Sequence, residues 1–117
     1  MPKLIAVEPF PRLQAAIEGR AYTDNFEGDS TYTPSIGGTT VTYQSIQAIQ
    51  NSNGKVVVVS TNSAIQEQQH LGKHGIYGER SSSLVLGALK SIIKKKEVKG
   101  DDTILLILSS NGYKELI

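Results

Sequence analysis

The sequence predicts an α/β domain of three layers, in which a mainly parallel, four-stranded sheet carries flanking helices. Two observations lead there: short apolar runs rich in β-branched residues that do not alternate with polar ones, and segments of helical spacing between them. A strand covered on one face alternates, whereas one covered on both faces need not. The interleaving of the two element types points to parallel strands joined by right-handed crossovers.

Leu4-Ile5-Ala6-Val7 is the first run. Pro11 then suits the first turn of a helix whose short apolar stripe is Leu13, Ala16 and Ile17. Residues 21–40 are polar, contain glycine and carry Pro34, so they should wrap the surface or form part of a site. Within them Gly37-Gly38 reads as a plain turn, because no lysine or clean helix cap follows to make a phosphate cradle. Val41 to Ile49 puts Val41, Ser45, Ala48 and Ile49 near one helical face, and Asn51-Ser52-Asn53-Gly54 stops that helix.

The second run is Val56-Val57-Val58-Val59. Ser60 or Thr61 can cap a helix reaching about Leu71, with Ala64, Ile65 and Gln68 inward and Gly72 past its end. Gly75-Ile76-Tyr77-Gly78 is a weaker strand candidate. Ser81 to Lys95 carries Leu84, Leu86, Ala88, Leu89, Ile92 and Ile93, enough for a helix buried on most of its circumference. Gly100-Asp101-Asp102 turns the chain into the last run, Ile104 to Leu108.

At 117 residues the chain is a single domain, 1–117, able to bury about two thirds of its unfolded surface around one core. Twelve Lys and Arg against eleven Asp and Glu give a net charge of +1, which supplies no electrostatic reason for a nucleic-acid or anionic-membrane partner. Lys94-Lys95-Lys96 falls where cations complement a helix dipole. With no cysteine, disulfides, thiolate catalysis and cysteine-based zinc sites are excluded. His70 and His74 have the spacing of a metal pair, but Gly72 interrupts the helix and no carboxylate lies close in sequence, so no metal is expected there. No apolar run reaches the roughly 20 residues of a membrane span and no signal-peptide pattern opens the chain, which suggests a cytoplasmic protein. An apolar strand so near the first residue implies that other strands precede it in the parent fold.

Several stretches, in order, resemble fold type II pyridoxal-phosphate enzymes of the threonine synthase kind. Pro2 to Glu8 looks like the strand that follows their glycine-rich phosphate-binding region. Ser30-Thr31-Tyr32-Thr33-Pro34-Ser35-Ile36-Gly37-Gly38, with Val41-Thr42-Tyr43 and Ile46 to Ile49 after it, is similar to the family's threonine-containing loop and the helix it enters. Val56 to Ser60 resembles the next strand and its cap. Gly75-Ile76-Tyr77-Gly78-Glu79-Arg80-Ser81-Ser82-Ser83 is similar to the family's Gly-aromatic-Glu-Pro-small-Ser-small opening of a helix. Val98 to Lys114 looks like the closing strand and its Leu-Thr-Gly-His-Gly-Leu-Lys motif. The likeness spans nearly the whole chain, loosely from residue 9 to 30 and well thereafter.

What the resemblance implies is specific by position. Ser109 stands at the threonine that hydrogen-bonds the pyridine nitrogen of the cofactor, and Glu79 and Ser82 match positions that line the cofactor pocket. A neutral hydroxyl at that nitrogen leaves the ring unprotonated, which favours elimination or replacement chemistry over reactions needing a stronger electron sink. Two positions depart: Arg80 replaces proline, putting a cation at a helix amino terminus, and Ser110-Asn111 replaces Gly-His. The family's cofactor-anchoring lysine and phosphate loop lie upstream of the strand that begins here, and no lysine of this chain matches that context, so the chain alone should be inactive.

The expected function is thus the carboxyl-terminal portion of a threonine synthase-like lyase, converting O-phosphohomoserine to threonine and phosphate with pyridoxal phosphate in the complete enzyme. A related threonine or serine dehydratase or cysteate synthase is the neighbouring alternative. The other class is a free-standing non-catalytic domain, which an uncovered sheet edge would drive to self-associate as a homo-oligomer. An amino-acid substrate is the small-molecule partner implied by the first reading.

Overall fold

A computed structural model of the protein describes residues 2–115. Strand β1 (Ile5–Glu8) leads to helix α1 (Leu13–Ile17), and after a long loop α2 (Tyr43–Asn51) leads to β2 (Lys55–Val58). Helices α3 (Ala64–Lys73) and α4 (Arg80–Lys94) follow, and single 3-10 turns lie at Pro34–Ile36, Thr61–Ser63 and Tyr113–Glu115. The strands pair in parallel with Ile5 opposite Lys55 and Glu8 opposite Val58.

Local chemistry sets these boundaries. Thr42 is extended, and its hydroxyl accepts from Ser45 N at 3.2 Å, so α2 starts at Tyr43 rather than at Val41. At the other end Ser52 is buried, its Oγ accepting from Leu4 N at 3.1 Å and donating to Ile49 O at 3.0 Å. One hydroxyl thereby joins the end of α2 to the start of β1. Gly54 completes the junction: a Cβ there would lie 1.8 Å from Leu4 O, so only glycine allows the backbones to approach closely enough for Lys55 N to reach that carbonyl. Helix α3 runs through Gly72 to Lys73, contrary to the expected stop at Leu71, because a glycine inside a helix costs only about 1 kcal/mol.

Helix α4 packs on the sheet through Ala88 and Ile92, which meet Val57 with Val7, Val59, Leu89 and Val98 around them. Residues 80–92 are all buried or half-buried, and Leu84 is fully enclosed. Helices α1 and α2 also abut β2, so the short sheet has helices beside it, as an α/β layer requires.

Only two of the four expected strands form a sheet. Residues 103–109 contain the apolar run Ile104 to Leu108 but make no ladder, and Leu105 is 83% exposed. Alternating or continuous apolarity marks a segment fit to be a strand, yet a ladder also needs a neighbour, and this segment has none among the described residues. Gly75 to Gly78 is likewise not a strand; Gly78 makes one isolated antiparallel bridge to Asn111.

The buried carboxylate of Glu8 closes β1 onto α1. Its oxygens accept from Arg12 N at 3.1 Å, Leu13 N at 2.9 Å and Gln14 N at 3.0 Å, satisfying the free amides of that helix start. Replacing Glu8 by Ala should therefore lower unfolding free energy by about 2 kcal/mol, the scale of a lost cap with charge-assisted bonds. Chemical denaturation would show this as a lower midpoint at unchanged slope.

Candidate functional site

The start of α4 gathers the candidate residues. Glu79 precedes the helix in an extended conformation, and its carbonyl accepts from Ser83 N at 2.9 Å and Ser83 Oγ at 2.7 Å. Ser81, Ser82 and Ser83 are all buried. Ser82 Oγ accepts from Ser110 N at 3.2 Å and lies 3.1 Å from Ser109 Oγ, while Glu79 N donates to Ser110 O at 3.0 Å. The carboxyl end of the extended run is thus clipped to the first turn of the helix. Ser109 itself is an exposed residue on this mount, with its Oγ beside that of Ser82.

The turn after Ser109 holds that mount. Gly112 N donates to Tyr77 O at 3.0 Å, and a Cβ at Gly112 would lie 2.3 Å from the Tyr77 ring, which packs edge-on against Tyr113 at 5.0 Å. Glycine is required there by the aromatic ring.

Glu79 is buried, and its carboxylate is taken up within the chain. Ser35 Oγ donates to it, and Lys114 Nζ stands 3.1 Å away. Burial pushes its pKa up, but the hydrogen bonds from Ser35, Lys114 and Ser110 and the Lys114 charge outweigh burial and hold the carboxyl below its ordinary value. Glu79 therefore joins the 21–40 loop, α4 and the final turn.

Arg80 is less disruptive than its charge suggests. Its N–H donates to Glu115 Oε1 at 3.1 Å, which returns a negative charge to the positive end of α4. Gln68 Nε2 donates to the same oxygen at 2.9 Å and to Gly78 O at 2.9 Å. Nε of Arg80 and Oγ of Ser81 are buried without a hydrogen-bond partner.

Of the residues the sequence singled out, Glu79, Ser82 and Ser109 share this one cluster. Gly37-Gly38 follows the 3-10 turn Pro34–Ile36 and holds no part of it. The supporting residues Ser35, Gln68, Lys114 and Glu115 went unnoticed as such, because their bonds span separations from 10 to 47 residues and leave no local spacing. Thr33 and Thr61 belong with them: their hydroxyls are 2.9 Å apart, and Thr61 Oγ1 accepts from Tyr32 N at 2.9 Å, pinning the loop to the turn before α3. The rings of His70 and His74 lie tilted by 39° with their centres 5.6 Å apart, and among the described residues no group of three or more His, Cys, Asp or Glu could hold a metal. No helix among those residues is long and apolar enough to cross a membrane.

A family model described as "pyridoxal-phosphate dependent enzyme" matches residues 1–110. Comparison with curated proteins gave no match. Ser109, an exposed residue, carries a neutral hydroxyl bonded to that of Ser82, with no carboxylate bonded to either, which is chemistry compatible with the ring nitrogen of such a cofactor. Glu79, with its carboxylate already engaged, fits as a support.

The lowered pKa of Glu79 carries a pH signature. The unfolded chain, with the ordinary value of 4.5, takes up the proton first as pH falls, so the stabilisation is complete above about that value and is lost as pH drops through the folded value. Wild type and Glu79→Gln should differ most in denaturation midpoint near neutral pH and converge in strong acid.

Proposed function

This chain belongs to the pyridoxal-phosphate dependent enzymes, and from that premise we propose that it forms the cofactor-facing wall of a threonine synthase-like lyase. In the complete enzyme the reaction would convert O-phosphohomoserine and water to threonine and phosphate. The observation that carries the proposal is the bonded set Ser82, Ser109 and Ser110 at the carboxyl end of an apolar extended run, the end of parallel strands where α/β folds present ligand-binding groups.

The direction of the hydrogen bonds supports a role for Ser109. Ser82 Oγ accepts from Ser110 N, so its own hydrogen can go to Ser109 Oγ, leaving the Ser109 hydrogen to donate outward to the ring nitrogen. Bound, the cofactor supplies an electron sink for elimination and replacement at the substrate side chain. Ser109 keeps the ring nitrogen neutral, Ser82 orients Ser109, and Glu79 with Ser35 and Lys114 holds the turn that carries both. Glu79 acts as a positioning residue. The reading also holds that the chain alone is inactive, since none of its lysines matches the context of the family's cofactor-anchoring lysine.

Fusing residues 2–117 behind the cofactor-binding part of a threonine synthase, in place of that enzyme's own carboxyl-terminal part, tests the reading. The chimera should release phosphate from O-phosphohomoserine. Ser109→Ala should lower that rate about ten-fold, the worth of one hydrogen bond, and Ser109→Thr should restore it. Deamination of serine or threonine without phosphate release would point instead to a dehydratase, and an unaffected Ser109→Ala variant would remove Ser109 from the site.

A further inference from the structure

Arg80 stands where the resemblance places proline, and the backbone around it has the shape a proline accepts. Glu79, just before it, has φ −59° and ψ 150°, the polyproline-like form open to a residue that precedes proline. Arg80 is the first residue of α4, the helix position that proline favours. Arginine there leaves the path of the chain compatible with the family's pattern and adds one donor. Proline has no backbone N–H, whereas Arg80 N donates to Glu115 Oε1 at 3.1 Å.

That oxygen is shared. Gln68 Nε2 of α3 donates to it at 2.9 Å and also to Gly78 O at 2.9 Å. Glu115 belongs to the 3-10 turn Tyr113–Glu115, and its N–H donates to Gly112 O at 3.0 Å. One carboxylate thus ties the closing turn to two helices, to α3 through Gln68 and to α4 through Arg80. Hydrogen bonds to an ionised acceptor are the stronger kind. Glu79 grips the same turn at its beginning, through Glu79 N to Ser110 O, so residues 110–115 are held at both ends. A turn held at one end can pivot; held at both, it keeps Ser109 beside Ser82. Every one of these bonds is made within the chain.

We propose that Glu115 is a positioning residue for Ser109, and that Arg80 serves the site through its backbone N–H, as a fastening that proline at the same position could not make. The departure at residue 80 then adds constraint to the cofactor-facing wall. The fastening is independent of the cofactor, and its bearing on the cofactor rests on the assignment of Ser109 to the ring nitrogen.

Two measurements separate these halves. In the 117-residue chain, amide hydrogen exchange at Ser110 and Gly112, whose N–H groups bond Ser82 Oγ and Tyr77 O, reports opening of the turn. Glu115→Ala should speed both about ten-fold, the scale of one lost hydrogen bond, and leave buried Ile92 unmoved. Glu115→Gln, which keeps an acceptor oxygen, should restore most of the protection. Arg80→Pro, which removes only one of the two donors to Glu115, should shift the same two amides in the same direction by less. In the chimera, Glu115→Ala should slow phosphate release about five-fold, yet add little once Ser109 is replaced by alanine, because a group that acts through Ser109 then has nothing left to position. Exchange unchanged in both Glu115→Ala and Arg80→Pro would overturn the fastening, as would faster exchange that includes Ile92 equally. Additive losses in the double variant would overturn the positioning role. A chimera indifferent to Ser109→Ala would instead sink the cofactor assignment, with the exchange results still deciding the fastening.

Discussion

The buried carboxylate of Glu79 is the constraint on which the candidate site depends. It lies at the entry to α4, where three stretches far apart in sequence converge: the polar loop through Ser35, the helix itself, and the closing turn through Lys114. An ionised carboxylate enclosed by protein is costly unless hydrogen bonds and an opposite charge offset the burial. Here they do, and so the carboxylate fixes the positions of the groups that satisfy it. Removing any one of them would leave a buried charge short of a partner, so the turn carrying Ser109 cannot drift freely from the helix carrying Ser82.

Around that anchor the chain repeats a single device. Glu8 satisfies the free amides at the start of α1 from the end of β1, Glu115 meets the first amide of α4 from the final turn, and Ser52 joins α2 to β1. Each is a polar side chain used to settle the end of one element against another. The apolar core beneath is small, centred on Val57, Ala88 and Ile92, and the polar junctions supply much of the geometry that so short a sheet cannot.

Much of this was legible in the sequence, and the rest was hidden for physical reasons. The β-branched runs at 4–7 and 56–59 announced β1 and β2, and the apolar spacing from 81 to 95 announced α4 to within one residue. Periodicity reports whether a segment could be a strand, not whether a neighbour is present, so residues 103–109 looked the same in sequence as a paired strand. Gly72 marked a helix end in sequence, but α3 tolerates it. At the site, Glu79, Ser82 and Ser109 were visible through the motifs around them. Ser35, Gln68 and Lys114 were not, since polar residues in a loop, on a helix face and in a turn give no sign of converging until the chain is folded.

The central claim is that Ser109, backed by Ser82, presents a neutral hydroxyl to the ring nitrogen of the cofactor. The most direct test is the nitrogen-15 chemical shift of ring-labelled pyridoxal phosphate bound to the chimera that joins this chain to the cofactor-binding part of a threonine synthase. The account predicts an unprotonated, hydrogen-bonded pyridine nitrogen in the wild type that becomes protonated in Ser109→Asp. A pyridinium signal in the wild type, or a shift unmoved by that substitution, would contradict it.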